Sequence, residues 1–190
     1  VDTPLLKRNI LPSQGVKVME QHAVNLLEGQ APSPVSPEIW VAVHSQNAIV
    51  ESVIAYTRNE ASKAGVAIRF NVTTNGLMSE KRAMWVADNF DTVVLSLDGA
   101  TFQDRNRPLL NGKGSFALID RTAKILSEGR TDLIVRVCVT HESVAHLPAL
   151  AHELENAYIL HSVCFEPLTE SPLSGANGLF PPDPVQFAKQ

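Results

Sequence analysis

Cysteine is nearly absent from this chain of 190 residues, which has two, Cys138 and Cys164. Each sits in an apolar run, Val135-Arg136-Val137-Cys138-Val139 and Ser162-Val163-Cys164-Phe165. Both therefore read as core residues, free cysteine being among the most buried residue types. Their spacing holds no iron–sulfur cluster, because such clusters take their ligands from closely spaced sets. Basic charge is also scarce. With 16 Lys+Arg against 20 Asp+Glu, the net charge is −4, which argues against a nucleic-acid partner. No apolar run approaches the roughly 20 residues that span a bilayer, so no membrane partner is expected. Val1-Asp2-Thr3-Pro4 lacks the charged and apolar regions of a signal peptide, so a cytoplasmic location is expected. A zinc helix is missing too. His141-Glu142 is followed by His146, one residue too far for His-Glu-x-x-His, and His146 and His152 do not share a helix face.

What is present is an ordinary globular composition, 44% apolar and 19% charged, long enough for one domain over residues 1–190. Short β-rich runs alternate with helical patterns, the signature of parallel βα units and an α/β fold. Five strands are expected, at Glu38 to His44, Ala67 to Thr73, Asp91 to Leu97, Leu133 to Thr140 and Tyr158 to Phe165. Their β-branched content suits strands covered on both faces. Helices are expected at Val16 to Leu27, Asn47 to Ala64, from an N-cap at Ser79 to about Asp88, from Ser115 to about Gly129, and at Ser143 to Asn156. Asp183-Pro184 opens a last helix close to Gln190. Pro32 to Pro37 reads as a loop and Pro167 to Pro184 as a longer irregular stretch. A helix that comes before the first strand implies a further strand upstream.

In parallel barrels the working residues lie at the C-terminal ends of the strands. Those ends carry Thr73-Thr74-Asn75-Gly76, then Ser96-Leu97-Asp98-Gly99 followed by Asp104-Arg105-Asn106-Arg107-Pro108, then Thr140-His141, then Phe165-Glu166-Pro167-Leu168. Asn-Gly and Asp-Gly are also plain turn formers. Gly112-Lys113-Gly114 lacks the spacing of a phosphate loop and reads as a flexible turn. Trp40 and Trp85 read as core.

These segments resemble those of radical S-adenosylmethionine (SAM) enzymes. Thr73-Thr74-Asn75-Gly76-Leu77-Met78 is similar to the Thr-Asn-Gly segment after the family's third strand. Ser96-Leu97-Asp98-Gly99, with Asp104 to Pro108 and Gly112-Lys113-Gly114-Ser115-Phe116, resembles the subgroup that matures proteins and peptides, including anaerobic sulfatase-maturating enzymes with a C-terminal SPASM extension. The likeness runs from about Val16 to Gln190. It implies a partial (β/α)6 TIM-like barrel, with the first strand and cluster loop missing here and a SPASM-type extension expected beyond it. Implied cofactors are SAM and a [4Fe–4S] cluster whose ligand cysteines are not in this chain. The implied reaction is hydrogen abstraction from a peptide side chain by a 5′-deoxyadenosyl radical, which this fragment alone is not expected to perform.

By the same resemblance Ser96 hydrogen-bonds SAM, Arg107 pairs with its carboxylate, Thr74 and Asn75 lie near the cofactor and Leu168 packs near the adenine. Asp98 orders the loop. His141 and Glu166 are candidates to face a peptide or protein substrate, and no catalytic base is indicated. Two departures stand out. The Cys-x-x-x-Cys-x-x-Cys loop is absent, and Val43-His44-Ser45-Gln46 replaces the family's Gly-Gly-Glu-Pro segment. Both a barrel without a cluster, acting as a non-catalytic peptide- or SAM-binding scaffold, and an unrelated βα-barrel enzyme stay open as alternatives.

Overall fold

The computed structural model describes residues 38–42 and 47–190. The chain divides into two units that meet in sequence at Phe70 and Asn71. The expected helix at Val16 to Leu27, the Pro32 to Pro37 loop and Val43-His44-Ser45-Gln46 lie outside the described residues.

The first unit contains strand β1 (Glu38–Ala42) and helix α1 (Asn47–Ala64). Val50, Val53, Ile54, Thr57 and Ala61 form the helix's buried stripe, at the i, i+3, i+4 spacing of one face. Within that stripe the Thr57 hydroxyl donates to the Val53 carbonyl at 2.7 Å, which satisfies a polar group that would otherwise be costly to bury. The Arg58 guanidinium lies 5.3 Å from the centre of the Phe70 ring.

The second unit takes up strand β2 (Arg69–Thr74) from Asn71 onward. It continues through α2 (Glu80–Asn89), β3 (Thr92–Ser96), α3 (Gly99–Asn106), α4 (Phe116–Ser127) and β4 (Asp132–Val139). After a short 3₁₀ turn (Val144–His146) come α5 (Leu147–Ala157), β5 (Ser162–Pro167), α6 (Pro172–Ala176) and α7 (Pro184–Phe187). Strands β2 to β5 form a parallel sheet in chain order, with Thr74 opposite Leu95, Ser96 opposite Arg136 and Cys138 opposite Glu166. The α/β class with a parallel sheet is as expected.

One face of this sheet is the core. Val72, Val93, Leu95, Leu133, Val135, Val137 and Val139 are buried, as are Ala83, Val86, Ile119, Ala123, Leu126, Leu150 and Leu154 on α2, α4 and α5. Burying each of the larger side chains contributes about 1.5–3 kcal/mol, so this layer is the main source of cohesion. The opposite face differs. Along β4 every second residue, including Ile134, Arg136 and Cys138, is only half-buried, and on β5 Cys164 and Glu166 are exposed. The expectation of strands covered on both faces fails for β4 and β5. So does the reading of both cysteines as core: the period-two alternation of strands puts them on the open face.

Four further expectations are corrected. Tyr158 does not start a strand. It caps α5, its hydroxyl donates to Asp120 at 2.8 Å, and the strand begins at Ser162. The stretch after Gly99 is helical, and the stretch after Pro167 contains α6, opened by a reciprocal Ser171–Ser174 capping box. Trp85 is half-buried, stacked on the Arg82 guanidinium at 3.9 Å. As expected, Ser79 caps α2 by accepting from Arg82 N at 3.3 Å, and Asp183 caps α7 by accepting from Gln186 N at 2.8 Å.

Gly99 ties the loop after β3 to this packing. Its φ is +78°, and a Cβ there would lie 2.2 Å from Leu150 Cδ1. Left-handed backbone costs a non-glycine residue about 1–2 kcal/mol, and overpacking adds about 1–3 kcal/mol. Gly99→Ala is therefore expected to lower stability by about 2–5 kcal/mol in urea denaturation, with an unchanged m-value.

Candidate functional site

The tetrapeptide Ser96-Leu97-Asp98-Gly99 ends β3, and each residue in it has a separate task. Leu97 is fully buried in the core, and Gly99 permits the turn into α3. Asp98 is 1% exposed, and a carboxylate that deep in a protein must be fully hydrogen-bonded. It accepts from Arg107 Nε at 2.9 Å and Nη2 at 3.3 Å, from Asn106 Nδ2 at 3.2 Å, and from the backbone N–H of Cys138 at 2.8 Å. The ends of β3, α3 and β4 are thereby joined at one side chain.

A second buried polar residue completes the loop. Gln103 Oε1 accepts from Asp98 N at 2.8 Å, and its Nε2 donates to Ser115 Oγ at 3.0 Å. Ser115 Oγ in turn donates to the Arg107 carbonyl at 2.6 Å. Ser115 precedes α4 but does not cap it. Asp104 performs that task by accepting from Phe116 N at 2.6 Å, and a Cβ on Gly114 would lie 2.2 Å from the Asp104 carboxylate. Glycine at 114 is what lets Asp104 reach the helix start. The segment from Arg107 to Ser115 is thus a folded loop held by side-chain hydrogen bonds from its flanking helices, and the reading of Gly112-Lys113-Gly114 as a turn agrees with the Leu109–Lys113 backbone bond of 2.8 Å.

A pocket of about 240 Å³ opens beside this loop at the C-terminal ends of β3, β4 and β5. Ser96, Arg107, Arg136, Cys138, Glu166 and Leu168 contribute to its lining. Four of the expected site residues, Ser96, Arg107, Glu166 and Leu168, are therefore together. Thr74 and Asn75 are not in this lining. Thr74 Oγ1 accepts from Gly76 N and Asn75 Oδ1 from Leu77 N, both at 3.1 Å, so each shapes its own turn. His141 is outside it as well. Its backbone N–H donates to the Phe180 carbonyl at 3.0 Å and its ring packs on Phe180 at 5.5 Å, while the neighbouring Glu142 forms an ion pair with Arg105.

Arg136 and Cys138 were missed as site residues. The signal was the alternation in Leu133-Ile134-Val135-Arg136-Val137-Cys138-Val139, which sets Arg136 and Cys138 on the face opposite the valines. Arg136 Nη1 is 3.7 Å from Glu166 Oε1, and both side chains are substantially exposed, so this pair is weak. Burial pushes the Cys138 thiol up, and the Asp98 carboxylate adds to the rise against a smaller opposing effect of Arg107. The Tyr158 phenol is raised in the same way, by burial and by its bond to Asp120.

No family model matches the chain, and no curated protein matches it. Solved structures do, and they define the fold as an α/β arrangement similar to that of radical SAM enzymes. The particular structures are of anSMEcpe, an anaerobic sulfatase-maturating enzyme. The form with bound AdoMet and Cp18Cys peptide is 19% identical with a TM-score of 0.65, covering 82% of this chain and 45% of that one. The form with Kp18Cys peptide gives 19% and 0.64, and the form with AdoMet alone 20% and 0.63, each over 82% of this chain and 44% of the other. The chain thus spans less than half the length of these proteins, and at this identity the likeness is one of fold.

A thiol with a raised pKa holds little reactive thiolate at mild alkaline pH, whereas Cys164 is exposed. Iodoacetamide at pH 8 is expected to label the exposed Cys164 faster than the half-buried Cys138, as read by peptide mass spectrometry.

Proposed function

We propose that this chain is the SAM-binding part of a radical SAM enzyme that modifies a peptide or protein, folded as a partial (β/α)6 barrel. The observation that carries the reading is the gathering of Ser96, Arg107, Glu166 and Leu168 around one pocket at the C-terminal ends of adjacent parallel strands. Parallel α/β sheets bind ligands at that edge. A solved neighbour with both AdoMet and a peptide bound supports the same reading.

The residues present fit SAM in kind. Ser96 offers a hydroxyl, Arg107 a guanidinium and Leu168 an apolar surface. The pocket volume of about 240 Å³ is just under the roughly 300–1,000 Å³ of small-molecule sites, so it takes part of such a ligand. In this assignment Arg107 receives the carboxylate, Ser96 fixes orientation, and Leu168 covers the adenine and excludes water. Thr74 and Asn75 form the far margin, at the end of the strand beside Ser96's own. Glu166 and His141 are assigned to the substrate side. Bound SAM supplies hydrogen-abstraction chemistry, and the protein's part is to orient and shield it.

The residues do not fit a [4Fe–4S] cluster. The sequence has two cysteines, and they face each other's neighbours: Cys138 is opposite Glu166 and Cys164 opposite Arg136. No step through a cluster is derived from this chain. A second reading, a SAM- or peptide-binding scaffold without redox chemistry, shares the same SAM site. Anaerobic reconstitution of the full-length protein separates the two, since stoichiometric iron uptake eliminates the scaffold.

Calorimetric titration of SAM into the chain tests the shared core of both readings. Arg107→Gln is expected to weaken binding about tenfold to a hundredfold, the scale of one charge-assisted hydrogen bond. Ser96→Ala should weaken it by about two- to tenfold, the scale of a neutral bond. Both need a cooperative melt that shows the chain folded at the titration temperature as a control. Absence of SAM binding at millimolar concentration overturns the proposal.

A further inference from the structure

We infer that Asp98 is a positioning residue for SAM, acting through Arg107 rather than on the ligand. The inference rests on the SAM reading and adds a residue to its site. A guanidinium carries five N–H donors in a rigid planar fork. Two of the nitrogens of Arg107, Nε and Nη2, are committed to the two Asp98 oxygens at 2.9 and 3.3 Å. The remaining N–H groups belong to a side chain that is one-third exposed and lines the pocket beside Ser96.

Asp98 is itself immobile. It is 1% exposed, sits in the turn after β3, and is held additionally by Asn106 Nδ2 and by the Cys138 backbone N–H. Its own N–H is fixed by Gln103, which is fully buried. A long flexible arginine normally loses much rotamer freedom on binding a ligand. Here that freedom is spent during folding, and the fork is presented already aimed.

The sign of the effect separates positioning from simple charge. Local charge alone predicts that removing the Asp98 carboxylate strengthens binding of a ligand carboxylate at Arg107. Positioning predicts the reverse. A merely structural role for Asp98 predicts equal damage to every ligand of the pocket.

The experiment is calorimetric titration of the wild-type chain and Asp98→Asn with two probes, SAM and 5′-methylthioadenosine, which keeps the adenosine but lacks the amino-acid carboxylate. Asp98→Asn is expected to weaken SAM about tenfold or more and to leave methylthioadenosine within about twofold. In an Arg107→Gln background, Asp98→Asn should cause no further loss of SAM affinity, the non-additivity of two residues acting through one contact. Tighter SAM binding by Asp98→Asn, or equal losses for both probes, overturns the inference while leaving the SAM reading intact. A wild-type chain that binds neither probe removes the SAM reading, and the inference with it. Should Asp98→Asn fail to fold, Arg107→Lys serves instead, because it keeps the charge but not the fork. It is expected to lose SAM affinity like Arg107→Gln, and wild-type affinity in it overturns the inference.

Discussion

A carboxylate that is 1% exposed is costly to bury unless it is hydrogen-bonded, and much of this structure follows from supplying the partners of Asp98. Its partners come from the last turn of α3, from the loop beyond it and from the backbone of β4. Arg107 is one-third exposed, so solvent screens the pair in part, but without it the buried Asp98 carboxylate loses two of its hydrogen bonds. Gln103 extends the arrangement to Ser115, and through it to the start of α4. Loops generally run over the surface because they cannot satisfy a buried backbone. This one also stays at the surface from Pro108 to Gly114, and its two ends are pinned by the buried side chains of Asp98 and Gln103.

The parallel sheet divides the labour between its faces. Valines and leucines on one side pack against α2, α4 and α5, while the other side carries Ser96, Arg136, Cys138, Cys164 and Glu166. That polar face is what a binding site needs and what a core excludes. Its residues sit in rows fixed by the strand register: Ser96 beside Arg136 beside Cys164, then Cys138 beside Glu166. The pocket is the upper part of these rows, closed at one end by the Arg107 loop.

Much of this was legible in the sequence. The five strand runs and α1 (Asn47–Ala64) were readable from β-branched content and from an apolar stripe. Taking strand ends in order placed Ser96, Arg107, Glu166 and Leu168 among the candidates, and the resemblance to radical SAM enzymes singled out Ser96, Arg107 and Leu168 as SAM contacts. Four things were hidden for physical reasons. Helix α3 has no apolar stripe, since the fully buried residue on its inner side is Gln103, and its Asp-Gly start is indistinguishable from a turn. Tyr158 has strand propensity, and a tertiary partner, Asp120, decides its place at a helix end. The two cysteines were misjudged because an apolar run was weighed as a whole, whereas a strand sorts alternate residues to opposite sides. The Gly114–Asp104 approach is a contact between residues of two different elements and leaves no trace in local pattern.

The alternation along β4 also governs how such a protein can change over time. Val135, Val137 and Val139 answer to the core, and Ile134, Arg136 and Cys138 do not. Side-chain substitutions at Arg136 and Cys138 alter the wall of the pocket without disturbing the packing that keeps the sheet folded. Lineages of this chain are therefore free to exchange one recognition surface for another by point substitution, whereas a single inserted residue in the strand would exchange the two sets wholesale and is closed to them. Specificity can drift here while architecture stands still.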